Sequence, residues 1–571
     1  MMQCFCFESG CPDCDAGRVS SQPSCHCLLR SCRVCQRAEC ITLSASSSSR
    51  PAEVAAAGCK ESTPKLRCNC LLEGCADCQG TSLAPPVKRR RRVQGGNARP
   101  EQQSDMSVLR SSEQCMCSLD PFVHCPTHKC HCASCAQGGN VRRQASCAWQ
   151  LHNQAFIQKH GLNPSRCTTL YCNLHGLPYQ TASVRNRLNV LSCFAEQKLE
   201  VNSKLLVFDL SQSLYRSGAR WDGSVPTLTT KSQMFSMALR NELPLDALAN
   251  LMGFAWRSGV WELMSASQWR IRLGNTMHVA VIGAVIMSAL AAVRLGPKSA
   301  RAPPDNPFMK RTERYFVDEV PAPVRRMEQV MVRDFLRHAC YLCLTVATDC
   351  SGIEAPMAAL YYFAKEARNH GLVVEVDHVS ACEKDRHGQL YISTVVGPRQ
   401  TFRDVLSRQC VEGQYLCEDL EGRMVPLPRN VDLYVSGFSC EPFSMQHTKS
   451  HCFEEEKAKI FFAVKDYIEH VRPRIVILEN VTGLDRLDSQ TGETCLNRIL
   501  KLLGAVAGFT WVHERLTPQQ FGFPISRPRY FFVGLRDDVS TAGWRGRFRQ
   551  YLERLQSPLT ATFWDYVRES K

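Results

Sequence analysis

At 571 residues, 44% of them hydrophobic and 22% charged, the chain has the composition of a globular protein and the length for several domains. Its formal net charge of +15 at pH 7 predicts attraction to polyanions, nucleic acid first and an anionic membrane surface second. The opening residues lack a basic segment followed by an apolar one, so no secretory signal is expected. The longest apolar run, Met277 to Val293, falls short of the roughly 20 residues a membrane span needs and reads as a buried core helix rather than a membrane helix, so no membrane partner is expected.

Residues 1–150 hold 21 of the 33 cysteines, and in a reducing compartment that skew favours metal ligation over disulfides. Cys4, Cys6, Cys11 and Cys14 follow C-x-C-x4-C-x2-C; Cys25, Cys27, Cys32 and Cys35 repeat it, as do Cys68, Cys70, Cys75 and Cys78. Two close thiolate pairs can complete a tetrahedral four-sulfur site, so each box is expected to bind Zn2+, and boxes this short need the metal to fold. A longer cluster runs from Cys115 to Cys135, with His124, His128 and His131 as alternative ligands. The C-x-C-x4-C opening is similar to cysteine-rich CXC DNA-binding modules, although the remaining spacing departs from them. Such boxes bind DNA or proteins, chromatin proteins among them. The linkers are rich in Ser, Ala, Gly and Pro, and the run Lys88 to Arg92 reads as a nuclear localisation signal or a phosphate patch. The expected location is the nucleus.

From about residue 342 the pattern alternates β-rich and helical segments, the signature of an α/β fold with a mostly parallel sheet. A strand and tight turn lead to a helix from about Ala355 to Asn369. Further strands are expected in VVEVDHVSAC, VDLYVSG, RIVILENV and YFFVGL, with a helix in EEEKAKIFFAVKDYIEHVRP. Ligands of open parallel sheets bind beyond the carboxyl ends of the strands, and Glu383, Asp404, Cys440 and Glu479 fall there.

GFSCEPFS at 437–444, ENV at 479–481, GFPISRPRYFFVG with Arg527 and Arg529, and the looser TDCSGIEAP at 348–356 together resemble the cytosine-5 DNA methyltransferases, in family order over about 190 residues. The resemblance implies a Rossmann-like methyltransferase fold with helices on both faces of the sheet. It implies S-adenosylmethionine as cofactor and double-stranded DNA, with its cytosine flipped out, as substrate. Cys440 is then the nucleophile, Glu479 the acid near ring nitrogen 3, and Arg527 and Arg529 the groups on the base carbonyl and phosphate. Asp349, Ser351, Gly352, Ile353, Glu383 and Asp404 are expected around the cofactor.

Two closing elements of the family are absent after Arg536. ELPLDALANLMGF at 242–254 and the stretch from Gln268 with Gly274, Asn275 and Thr276 resemble them upstream. A circular permutation accounts for this order and brings Asn275 and Thr276 to the cofactor. The expected organisation is cysteine repeats over 1–140, target recognition over 141–230, permuted motifs over 231–295 and a linker over 296–341. The methyltransferase core then spans 342–536, followed by a C-terminal tail over 537–571. Departures from the family pattern are Ser439, Glu441, Ile525, Cys350, Glu354 and Ala355; of these, Glu441 sets a carboxylate beside the thiolate, which disfavours its ionisation unless it points outward. An RNA cytosine-5 methyltransferase, and an inactive methylase-fold protein that binds chromatin or DNA, are the alternatives.

Overall fold

The computed structural model describes residues 141–165, 182–198, 202–214, 219–293, 307–317, 322–336, 341–444, 453, 456–488 and 491–567. The expected zinc ligands from Cys4 to Cys78, the cluster at 115–135 and the basic run at 88–92 lie outside them. No group of three or more metal-ligating side chains occurs among the described residues.

Two helices, α1 (Val141–His160) and α2 (Ala182–Gln197), come first. A short antiparallel sheet follows, of β1 (Val207–Asp209), β2 (Met234–Ser236) and β3 (Asn241–Glu242). Phe156, Leu191, Phe194, Phe208 and Phe235 gather the helices and the first two strands around a small core of their own. Three helices continue: α3 (Leu245–Leu251), α4 (Ala266–Asn275) and α5 (Val279–Ala292). Ser265 and Gln268 form a reciprocal capping box that starts α4. The α5 helix is apolar all round and therefore needs burial on every side. The stretch Ala266–Ala292 is long and apolar enough for a span, but 89% of its apolar window is buried inside the protein, as expected of a core helix.

The interval expected to be a linker contains α6 (Pro307–Glu313) and α7 (Ala322–Leu336). Val324, Met327 and Val332 share one helical face, and all three are buried in the main core, so this part of the interval is packed structure.

The main sheet begins with β4 (Tyr341–Asp349), then α8 (Ala355–Asn369), β5 (Val373–Cys382), α9 (Arg386–Tyr391) and β6 (Gln400–Phe402). A small antiparallel excursion of β7 (Gln409–Val411), β8 (Gln414–Glu418) and β9 (Met424–Pro426) was not foreseen from the sequence. After it come β10 (Leu433–Ser436), α10 (Lys459–Val471), β11 (Ile475–Val481), α11 (Cys495–Gly504), β12 (Phe509–Leu516), β13 (Arg529–Arg536) and α12 (Trp544–Leu555). The order across the sheet is β12-β13-β11-β10-β4-β5-β6, with β13 antiparallel to both neighbours and the other pairings parallel. In the segment expected to be a tail, Trp544, Phe548, Leu552 and Leu555 of α12 are buried in the core.

This topology fixes where a ligand can go. The chain leaves β4 toward β5 on one side and later returns to β10 on the other, so a crevice opens between the carboxyl ends of β4 and β10. Register sets Asp349 beside Ser436 and Cys382, while Arg529 starts the antiparallel β13 opposite Val481, at the same edge.

Candidate active site

The crevice is lined from β4 and its turn by Thr348–Gly352, from the β10 end by Val435 and Gly437, from β11 by Glu479, and from upstream by Asn275–Met277. The upstream residues are held there by Arg527. This guanidinium, 2% exposed, donates from Nη1 to the Leu228 carbonyl at 2.8 Å and from Nη2 to those of Gly274 and Thr276 at 3.0 and 2.6 Å. Beside it the segment around Val225 pairs with Pro524 and Ser526 through bonds of 2.7 and 2.9 Å. Arg527, expected at the substrate, bonds through its terminal nitrogens to backbone that joins distant parts of the chain, while its charge lowers the pKa of both Glu479 and Cys440. Gly274 is required at this joint, because a Cβ there would lie 2.3 Å from the Thr229 backbone. Gly274→Ala is expected to cost about 3 kcal/mol, read as a lower denaturation midpoint.

Arg529 meets Glu479, with Nε 3.0 Å from Oε1. Burial raises the pKa of Glu479, while Arg529 and then Arg527 oppose the rise. The partly exposed Cys440 opens the short 3-10 turn Glu441–Phe443. Burial also pushes its thiol up; Arg529 lowers it and Glu479 raises it, so the three groups share one electrostatic environment. Asn480 was quoted in the sequence without a role. Its Nδ2 donates to the Phe438 carbonyl at 2.9 Å and so ties the cysteine loop to the end of β11. A Cβ at Gly437 would sit 2.9 Å from Met277 Cε, the flexible end of that side chain. Glu441, a departure that threatened the thiolate with a neighbouring negative charge, is exposed and pairs with Lys457. Ile525, another departure, is fully buried and bridges to Val225.

On the cofactor side, Glu383 accepts from the backbone N–H groups of Gly352 and Asp385, both at 2.8 Å. Gly388 must lack a side chain here, because its Cβ would fall 2.7 Å from Glu383 Cγ. Asp404 caps the turn at Leu406 and pairs with the exposed Lys384 at 2.9 Å. Ile353 is fully buried, so its side chain packs in the core and only its backbone shares the loop. Asp349 points away from solvent: Arg408 Nη2 lies 2.6 Å from Oδ1, Tyr434 donates to Oδ2, and the pair is 4% and 2% exposed. Arg408 also stacks over Tyr467 at 4.6 Å. No local pattern marked Arg408, since its partner is 59 residues away.

Cys350 and Glu354 both adopt positive φ, 51° and 53°, a conformation that costs a residue with a Cβ about 1–2 kcal/mol. With Gly352 at 55°, the expected cofactor loop passes three times through left-handed backbone before Pro356 opens α8. The backbone around Ser351 and Gly352 faces the cleft, and no atom would obstruct a Cβ at Gly352 within 4 Å. A concave crevice with open backbone on one wall and a carboxylate at the next strand end fits a nucleoside-bearing cofactor.

Residues 416–570 match the family model described as C-5 cytosine-specific DNA methylase. Among curated proteins, the chain is 27% identical over 223 residues to DNA (cytosine-5-)-methyltransferase DMT5 of Cryptococcus neoformans var. grubii, covering 38% of this chain and 9% of that protein. It is 32% identical over 108 residues to Type II methyltransferase M.NgoBI of Neisseria gonorrhoeae, covering 19% of this chain and 32% of that one. The crystal structure of S. pombe Dnmt2 methyltransferase aligns with a TM-score of 0.23 at 18% identity, over 34% of this chain and 50% of the other. The chain thus spans a third or less of the curated relatives named here. The likeness to the C-5 cytosine-specific DNA methylases thus lies in residues 416–570 and in the stretches shared with these two curated proteins.

Proposed function

We propose that the chain is a DNA (cytosine-5)-methyltransferase that uses S-adenosylmethionine and acts on a flipped cytosine through a covalent Cys440 adduct. The observation that carries the reading is the convergence of Cys440, Glu479 and Arg529 beside a cleft walled by the Thr348–Gly352 turn.

Carbon 5 of cytosine is a weak nucleophile. Addition of the Cys440 thiolate to carbon 6 breaks the aromaticity and makes carbon 5 enamine-like. Glu479 in its protonated form, which burial favours and Arg529 opposes, donates to ring nitrogen 3 as negative charge develops. Arg529 holds Glu479 in place and offers its remaining N–H groups to the base carbonyl. When bound, S-adenosylmethionine would supply an electrophilic methyl group. Glu383 and Asp404, with the backbone at Ser351 and Gly352, would hold its nucleoside and amino-acid parts. Loss of the carbon-5 proton then expels the thiol and restores the ring. Extrusion of the base from the duplex is implied, since carbon 6 is unreachable within the stack.

The circular permutation belongs to the same proposal. It is supported by the presence of Asn275–Met277 in the cleft wall and by the three carbonyls that Arg527 gathers from 228–276. Target recognition is assigned to 141–230, a segment with a separate small core that adjoins the arginine element at Val225. Zinc in the cysteine boxes, their contacts with chromatin proteins, and nuclear import through Lys88–Arg92 rest on sequence spacing alone. The test is transfer of labelled methyl groups to duplex DNA and to transfer RNA by the full chain. Label in DNA at carbon 5 of cytosine is expected; label only in RNA, or in neither, overturns the reading.

A further inference from the structure

Behind the cleft lies a buried polar cluster that the proposed chemistry does not use. Glu354, 1% exposed, accepts from Thr348 Oγ1 at 2.7 Å. Thr348 in turn accepts from Ser351 Oγ at 2.9 Å, and His378 Nε2 lies 3.0 Å from the same hydroxyl. The second carboxyl oxygen of Glu354 is buried and has no hydrogen-bond partner among the described residues. The residue holds this place at a φ of 53°, where a glycine would be unstrained.

Among the described residues no cation is paired with the carboxyl. His378 is 3.9 Å away, but burial lowers its pKa to about 3 and leaves it neutral. Asp349 and Glu383 both raise the Glu354 pKa by repulsion, and the charge of Arg408 is engaged by Asp349. Cys350 and Cys382 are thiols that burial pushes up, and Tyr391 on α9 is a buried phenol, so none offers positive charge.

We propose that Glu354 is a positioning residue that holds the Cys350–Ala355 turn in its cofactor-binding form through Thr348 and Ser351 only while its carboxyl is protonated. The inference rests on the methyltransferase reading and adds to it a proton-linked control of cofactor affinity. The sign follows from burial. Desolvation first, outweighing the hydrogen bonds of Thr348 and Ser351 that lower it, raises the Glu354 pKa from 4.5 to about 8, so the native state keeps a proton that the unfolded chain has lost. The stability of this arrangement therefore falls as pH rises toward 8. Above that, an ionised carboxylate facing Asp349 and Glu383 draws the turn out of place.

The experiment is calorimetric binding of S-adenosylmethionine to the full chain, E354Q and E354G between pH 6.5 and pH 9. Wild-type affinity is expected to fall about tenfold from pH 7 to pH 9, since each unit above a required proton's pKa costs up to tenfold. E354Q keeps an acceptor for Thr348 and has nothing to ionise, so it is expected to bind at the wild-type pH 7 affinity throughout. E354G relieves the strain and removes the acceptor, and is expected to fold but bind more weakly at every pH. A pH dependence in E354Q equal to that of wild type, a flat wild-type profile, or wild-type affinity in E354G would each overturn the inference while leaving the methyltransferase reading intact. Absence of binding by the wild type at every pH removes that reading and this inference with it.

Discussion

Cys440→Ala is expected to lower methyl transfer to DNA by about a thousandfold or more while leaving S-adenosylmethionine binding within a few-fold of wild type. The thiol is the only group at the β10 end able to add to a ring carbon among the described residues, and it is absent from the cleft wall that would hold the cofactor. The pH profile of the wild-type enzyme follows from the same site. Burial raises both Glu479 and Cys440, from ordinary values of 4.5 and 9.0. The reactive form needs the acid protonated and the thiol ionised. The thiolate fraction rises tenfold per pH unit until Glu479 begins to lose its proton. Between the two pKa values gain and loss cancel and the rate is level; above the thiol pKa it falls. The acidic limb therefore reports Glu479 and the basic limb reports Cys440. Glu479→Gln is expected to remove the early levelling and the fall at high pH, leaving a slower rate that climbs until the thiol is fully ionised and then stays level. A rate constant for single-turnover transfer, measured from pH 6 to 10, checks both limbs.

The second large effect is on stability. Arg408→Met is expected to cost about 4 kcal/mol, because it leaves the Asp349 carboxylate buried with only the Tyr434 hydroxyl beside it. Combining it with Asp349→Asn removes the stranded charge and is expected to recover most of the loss, since a buried pair adds little net stability over a neutral, well-packed replacement. Denaturant midpoints of the two single variants and the double variant close this cycle. The pair also has a geometric role. Arg408 follows the Asp404 turn and Asp349 ends β4, so the bridge fastens one side of the proposed cofactor site to the other. The double variant is accordingly expected to fold well yet bind S-adenosylmethionine more weakly than wild type.

Much of the catalytic half could be read from the sequence because its signals are local. The helix at 355–369 and the strands ending at Asp349, Cys382 and Val481 stand where alternation and turn residues put them. β12 escaped notice because FTWVHERL mixes charge with apolar residues; its burial pattern is that of a partly exposed edge strand. The helices at 307–313 and 322–336 were hidden by the Pro-rich stretch ahead of them. Arg408, Glu354 and the carbonyl contacts of Arg527 were illegible for a different reason. Their partners are separated along the chain or set by backbone conformation, and neither leaves a mark on residue spacing. Glu441 shows the converse: its identity suggested interference with the thiolate, and its pairing with Lys457 turns the charge outward.

The central claim is that Cys440 adds to carbon 6 of cytosine, and trapping tests it most directly. A duplex carrying 5-fluorocytosine lets addition and methyl transfer proceed, but fluorine cannot leave as the carbon-5 proton does, so the thiol cannot be expelled. Incubated with S-adenosylmethionine, the full chain is expected to form a denaturation-resistant complex with this DNA, and peptide mass spectrometry is expected to find the methylated base on Cys440. A chain that binds the cofactor and the duplex yet forms no such bond, or forms it at another residue, would contradict the account.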